Sequence, residues 1–198
     1  MIMSYLGPRG TFTEKAAHEV AEKIKKETKL LPLKSLEDVA MSLTDRRADI
    51  AVMAYYNYIS GPVKNCLNLI NNNNHRIIGI QRIPIELAVC CHPESSDFSV
   101  LYSHPNAIKQ CSEYFAKNYP EIKKIEVEST ATGMEFTKES KKGLAVGMKE
   151  AMIEMGLKIL AENIGNKTDG IQNYTDFYIV VPGSKKREEK FTMFLEIT

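Results

Sequence analysis

No run of apolar residues in this chain approaches the length needed to cross a bilayer, and the stretch Met1 to Gly7 has no basic region followed by a long apolar segment. The expectation is a soluble, cytoplasmic protein. An excess of charge of one sign is also lacking. The 26 Lys and Arg against 25 Asp and Glu leave a net charge of +1, with the basic residues spread along the chain. That spread offers no electrostatic footprint for nucleic acid or for an anionic membrane. Cysteine is scarce and wrongly spaced for a metal. Cys66, Cys90, Cys91 and Cys111 form no CxxC pair, and no cysteine and histidine cluster has ligand spacing. The adjacent pair cannot close an ordinary disulfide without strain. No metal and no cofactor are expected. No internal repeat is evident, and the one low-complexity patch, Asn71 to Asn74, reads as a solvated loop.

What is present is enough for a core. A chain of 198 residues with 43% hydrophobic residues folds without staples, as one domain or as two small lobes. Short apolar runs alternate with helical patterns, the mark of an α/β architecture. Ile2 to Leu6 reads as a buried strand and Gly7 to Gly10 as a tight loop, with Thr11 or Thr13 capping a helix to about Glu27. Leu30 to Leu33 follows as a strand. Ser35 with Asp38 three residues on resembles a capping box for a helix burying Leu36, Val39, Ala40 and Leu43. Ile50 to Ala54 is a strand, and Gly61 and Pro62 open a helix that Asn71 to Asn74 stop.

Strands Ile77 to Ile80 and Ile83 to Cys91, broken near Arg82 to Pro84, cross into a second lobe. There Val100 to Ser103, Ile122 to Glu128, Gly143 to Gly147 and Lys158 to Ala161 read as strands. Helices at about Asn106 to Asn118, Thr130 to Glu139 and Met148 to Met155 separate them. Tyr174 to Pro182 is a strong strand, and Lys186 to Lys190 a charged turn into Phe191 to Ile197, the pair returning to the first lobe. The expected lobes are about 1–80 plus 180–198, and about 81–179. A cleft at such a junction is where a small molecule binds.

Several ordered segments resemble the prephenate dehydratase catalytic domain. They are Tyr5-Leu6-Gly7-Pro8-Arg9-Gly10-Thr11-Phe12-Thr13-Glu14, Ser35-Leu36-Glu37-Asp38-Val39, Ala48-Asp49, and Ser103-His104-Pro105-Asn106-Ala107 with Gln110-Cys111. Ser129-Thr130-Ala131, Gly156 to Ile164, and Asn173-Tyr174-Thr175-Asp176-Phe177 complete the set, which covers nearly the whole chain. The resemblance implies two α/β subdomains of periplasmic-binding-protein type with the active site in the cleft between them, and a homodimer. It implies no cofactor. Many members carry a C-terminal domain that senses phenylalanine. This chain stops at Thr198, so that domain and its feedback are not expected.

Prephenate carries two carboxylates and a ring hydroxyl, so its site needs anion holders and help for the departing oxygen. Gly10-Thr11-Phe12 and Ser129-Thr130-Ala131 lie where a strand gives way to a helix, and unpaired amides at a helix N-terminus hold carboxylates. Simple capping by Thr and Ser is the alternative for both; the resemblance favours substrate binding. It also implies that Thr175 assists loss of the hydroxyl and that Asn57 and Phe177 bind substrate.

Departures from the family pattern fall on the same segments. Where the family has Pro-Ile-Glu-Asn-Ser-Ile-Glu-Gly, this chain has Ala54-Tyr55-Tyr56-Asn57-Tyr58-Ile59-Ser60-Gly61. Asp176 stands where the family has arginine, and the family's histidine-containing strand around the lobe crossing is missing, with Leu87 to Val89 near that place. An unpaired anion at 176 would weaken binding of a dianion by a few kcal/mol, on the order expected for like charges at close range. These changes point to non-aromatising decarboxylation of prephenate, as in the decarboxylases of secondary metabolism that feed antibiotic biosynthesis, with Tyr56, Tyr58 or water supplying the proton. Dehydration to phenylpyruvate is the alternative. A third reading is a non-catalytic binder with Arg9 as carboxylate clamp. His18 and His75 read as surface residues, and His92 and His104, each before a proline, as turn formers.

Overall fold

The computed structural model describes residues 1–166, 170 and 172–183, so the expected turn Lys186 to Lys190 and strand Phe191 to Ile197 lie outside the described residues. In chain order the elements are β1 (Ile2–Leu6), α1 (Phe12–Ile24), β2 (Lys29–Leu33), α2 (Leu36–Thr44), β3 (Ile50–Asn57) and β4 (Gly61–Pro62). Then come α3 (Cys66–Asn72), β5 (His75–Pro84), β6 (Ala88–Cys91), β7 (Val100–Ser103), α4 (Pro105–Gln110) and α5 (Ser112–Asn118). The last are β8 (Lys123–Glu126), α6 (Thr130–Ser140), β9 (Leu144–Gly147), α7 (Lys149–Glu154), β10 (Lys158–Ala161) and β11 (Tyr174–Pro182). They form two compact α/β units, as the alternating pattern predicts. The first takes Met1–Pro8, Phe12–Pro84 and the chain from Asn173; the second takes Arg9–Thr11 and Ile85–Gln172. The return to the first unit therefore precedes residue 180, because all of β11 pairs within the first sheet.

That sheet has the order β2-β1-β3-β11-β5, with β4 paired to β3. β1 runs parallel to β2 and β3, whereas β11 is antiparallel to both its neighbours. Met3, Ser4 and Tyr5 of β1 are all buried, as in a parallel strand covered on both faces. Helix α1 buries Ala16, Ala17, Val20 and Ile24, a stripe at helical spacing. It stops short of Glu27 because Lys25 turns left-handed at φ 51. On α2 the capping prediction is met, with Ser35 Oγ accepting the Asp38 N–H at 3.0 Å. Val39, Ala40 and Leu43 then pack with Ala51, Met53, Cys66, Ile70 and Val180. Ser42, buried among them, lies 2.8 Å from Ser4 Oγ and 2.7 Å from the Val39 carbonyl, so no polar atom of it is stranded.

Three expectations here need correction. Gly61 and Pro62 do not start a helix; they fold back on β3 opposite Asn57 and Tyr56, because Gly61 adopts φ +81 after the turn that Asn57 caps. β5 does not break at Arg82. It continues to Pro84, which an edge strand tolerates because its missing donor would face outward. His75 is not at the surface. It is 9% exposed, with Nε2 2.9 Å from the Ala40 carbonyl, because the strand that contains it starts earlier than the apolar run.

In the second unit the sheet order is β10-β6-β9-β7-β8. β7 is parallel to β8 and β9, and β6 is antiparallel to β9 and β10. Helix α6 lies directly on β7: a Cβ at Gly133 would sit 2.4 Å from the Tyr102 carbonyl oxygen. The helix expected over Asn106 to Asn118 is divided at Cys111, whose φ of −112 interrupts it between α4 and α5.

Candidate functional site

The C-terminal end of β3 and the first residues of β11 carry a cluster of hydrogen-bonded polar side chains. In the antiparallel register Thr175 stands opposite Asn57, and directly opposed residues put their side chains on one face. Asn57 Nδ2 donates to Thr175 Oγ1 at 2.9 Å, to Asn173 Oδ1 at 2.9 Å and to the Tyr174 carbonyl at 3.1 Å. Its Oδ1 accepts from the backbone amides of Ile59 at 3.1 Å and Ser60 at 2.8 Å, which shapes the 57–60 turn. An amide that donates to a hydroxyl oxygen leaves that hydroxyl's own proton to be directed elsewhere. Thr175, 9% exposed, is thereby set as a donor.

The adjacent residues look the other way, because side chains alternate across a strand. Asp176 stands opposite Tyr56 on one side and Arg82 on the other. Its side chain is 5% exposed and is held by Arg82 through two bonds, Nε to Oδ1 at 2.7 Å and Nη2 to Oδ2 at 2.9 Å. Tyr58 joins them: its hydroxyl accepts from Arg82 Nη2 and donates to Asp176 Oδ2 at 3.3 Å. The guanidinium carbon lies 4.9 Å from the Tyr58 ring centre and 5.6 Å from that of Tyr174, within cation–π range. Tyr56 meets Tyr58 edge to face at 5.5 Å. Of the three residues expected to be catalytic, Thr175 therefore sits with Asn57, while Tyr56 and Tyr58 are on the opposite face of the strand pair with Asp176. Phe177 shares the Thr175 face, but at 1% exposure it is a core residue with no surface to offer a ligand.

In the second unit Ser129 is the N-cap of α6, its Oγ accepting the Thr132 N–H at 3.0 Å. The amides of Thr130 and Ala131 belong to the first turn, where no intrahelical acceptor exists. The capping and the anion-holding readings of Ser129-Thr130-Ala131 are thus compatible. Gly10 comes up against this helix start: a Cβ there would lie 3.2 Å from Ala151 Cβ and 3.6 Å from Ala131 Cβ, and its φ of +80 also demands glycine. Thr11 follows it, and Phe12 begins α1. Arg9 is exposed.

Two histidines serve as caps. His104 caps α4 through Nδ1, and burial, against the pull of Glu126, holds its imidazole below the ordinary value. His92 Nδ1 accepts the Glu94 amide in a turn. Burial pushes the thiols up, to about 11 for Cys66 and about 12 for Cys90 and Cys111, which disfavours the thiolate. Among the described residues no three His, Cys, Asp or Glu side chains converge to hold a metal ion. No helix among them is long and apolar enough to cross a membrane.

Arg82 and Asn173 went unrecognised in the sequence as partners of the site. Asn173 lies in the quoted motif next to Thr175, and that was its signal. Arg82 had none, since it meets Asp176 only through strand pairing across 94 positions.

Comparison with known proteins bears on the family and the fold. The family model described as prephenate dehydratase matches residues 3–185. A bifunctional chorismate mutase/prephenate dehydratase of Aquifex aeolicus is 34% identical over 179 residues, 90% of this chain and 48% of that protein. The chain thus spans about half the length of this curated relative. The crystal structure of a prephenate dehydratase from Arthrobacter aurescens aligns at TM-score 0.80 and 25% identity, over 93% of this chain and 61% of that one. An ABC transporter structure from Parabacteroides distasonis aligns over 97% of this chain and 69% of that one at TM-score 0.50 and 16% identity, a likeness of fold alone. The two-lobed α/β fold, the ordered motifs from Tyr5 to Phe177 and a family match over nearly the whole chain lead to one conclusion: this chain belongs to the prephenate dehydratase family.

Proposed function

We propose that this chain converts prephenate into phenylpyruvate, carbon dioxide and water, a step toward phenylalanine. The observation that carries the reading is the 2.9 Å bond from Asn57 Nδ2 to Thr175 Oγ1, which leaves the Thr175 proton to hydrogen-bond the departing ring oxygen. The carbon–carbon bond to the ring carboxylate breaks, its electron pair moves through the ring, and the carbon–oxygen bond opposite it breaks. Carbon dioxide and hydroxide leave, the ring becomes aromatic, and a solvent proton completes water. Thr175 lowers the charge on the leaving oxygen without needing to ionise, a role in which a positioned donor contributes about 10²-fold or more. Within the second unit, the first-turn amides of α6, where Thr130 and Ala131 follow the Ser129 cap, have the character of a carboxylate holder.

The expected non-aromatising decarboxylation rested on the rebuilt 54–60 segment and on Asp176. Tyr56, Tyr58 and Asp176 face away from Thr175, and Arg82 pairs with the Asp176 carboxylate, so these three departures leave the Asn57–Thr175 pair intact. The named relatives are prephenate dehydratases, which supports the same side.

The test is purified protein with prephenate, followed by ultraviolet absorbance and product mass. Phenylpyruvate formation that is lost in Thr175→Ala and largely kept in Thr175→Ser is the expected result. A product that keeps the ring hydroxyl overturns dehydration in favour of decarboxylation, and unchanged prephenate with measurable binding identifies a binder.

A further inference from the structure

The side-chain cluster on the face opposite Thr175 has no part in the chemistry above, yet Asp176 is the next residue after the proposed donor. The backbone ladder is irregular on one side at this point. The register between β11 and β3 shifts between Asp176 and Phe177, where Tyr55 is the extra residue, and on its other side β11 meets an edge strand, β5. A bulge disrupts local pairing on the β3 side, while the β5 side stays in unbroken register from Tyr174 to Ile179. Side chains that tie β3 to β5 across β11 therefore add what the bulged side lacks.

We propose that Arg82, Asp176 and Tyr58 are positioning residues for Thr175, a charge clamp joining β5, β11 and the end of β3 that keeps the hydroxyl and the 57–60 turn in working register; this role rests on the dehydratase reading. Tyr58 is tied at both ends, its amide donating to the Tyr174 carbonyl at 2.9 Å and its hydroxyl engaging the Arg82–Asp176 pair. Asn57 grips Thr175 and Tyr174 from the other face. The segment 174–176 is thus held from both sides by consecutive residues of one turn. The bidentate geometry of Arg82 fixes direction as well as distance, which a single ammonium would not. Releasing the clamp lets the Thr175 hydroxyl drift, and an ångström of misplacement is enough to slow a reaction by about 10²-fold.

The register supplies a rescue. Tyr56 stands directly opposite Asp176, so Tyr56→Glu can pair with an arginine introduced by Asp176→Arg. In Asp176→Arg, kcat per folded molecule is expected to fall about 100-fold with KM within about threefold. Adding Tyr56→Glu is expected to restore kcat to within about fivefold of the natural chain. A second readout needs no substrate: exchange of the Tyr58 amide proton speeds up in Asp176→Arg and slows again in the double variant. If Asp176→Arg does not fold, Tyr58→Phe, which removes one oxygen from the clamp, carries both readouts with an expected kcat loss of about tenfold. Natural kcat in a folded Asp176→Arg, unchanged Tyr58 exchange, or failure of Tyr56→Glu to reverse either effect overturns the clamp. If the natural chain leaves prephenate untouched, the dehydratase reading fails separately, and amide exchange alone decides whether the clamp exists.

Discussion

Replacing Asn57 by aspartate separates the two jobs of this side chain. The acceptor oxygen facing the Ile59 and Ser60 amides is kept, at 3.1 and 2.8 Å, so the turn survives. The donor nitrogen becomes an oxygen facing Asn173 Oδ1, the Tyr174 carbonyl and Thr175 Oγ1, at 2.9, 3.1 and 2.9 Å. A Thr175 hydroxyl can rotate to donate, but the Tyr174 carbonyl has nothing to give. At least one acceptor–acceptor pair therefore remains, for a stability loss of about 1–3 kcal/mol. The larger effect is on chemistry. Thr175 now donates to the new carboxylate instead of the leaving oxygen, so kcat should drop by about 10²-fold or more while KM stays within about threefold. Urea unfolding measures the first quantity and steady-state phenylpyruvate formation the second. A folded Asn57→Asp enzyme with kcat within about threefold of the natural chain would falsify the assignment of Thr175 as a donor set by Asn57.

Ser129→Ala should lower stability by about 1 kcal/mol through loss of the α6 cap, and should raise KM for prephenate with little change in kcat. An unaltered KM would move the carboxylate site away from α6. The buried thiols set an alkaline limit. An unfolded cysteine ionises near pH 8.5 as a rough reference, whereas the folded chain keeps Cys66 protonated to about 11 and Cys90 and Cys111 to about 12. Folding stability is therefore full below that unfolded value and falls as pH rises toward 12, because only the unfolded state releases these protons. Urea midpoints from pH 7 to pH 11 check the sign, and a flat profile would mean the thiols are accessible.

The alternation of apolar runs and helical stripes, the Ser35 cap and the long apolar segment Tyr174 to Pro182 were legible because each depends on neighbours in sequence. Local signals failed where the chain turns by side-chain capping, as at Gly61 and Pro62, and where strand length is set by a partner, as for β5 through Arg82 to Pro84. Thr175 and Asn57 were each legible as candidates from their motifs. Their joint orientation was not, since it needs the register that brings residues 57 and 175 opposite each other.

Sequence alone therefore determined the fold class, the family and the candidate polar residues of the site, because motifs and periodicities are properties of contiguous residues. Only the tertiary structure decided what the departures mean. Asp176, an isolated anion in the sequence, is paired once β5 brings Arg82 beside it. Strand alternation sends Tyr56 and Tyr58 to the far face and leaves Thr175 with Asn57. Charge and facing are relations between distant strands, and no one segment encodes them.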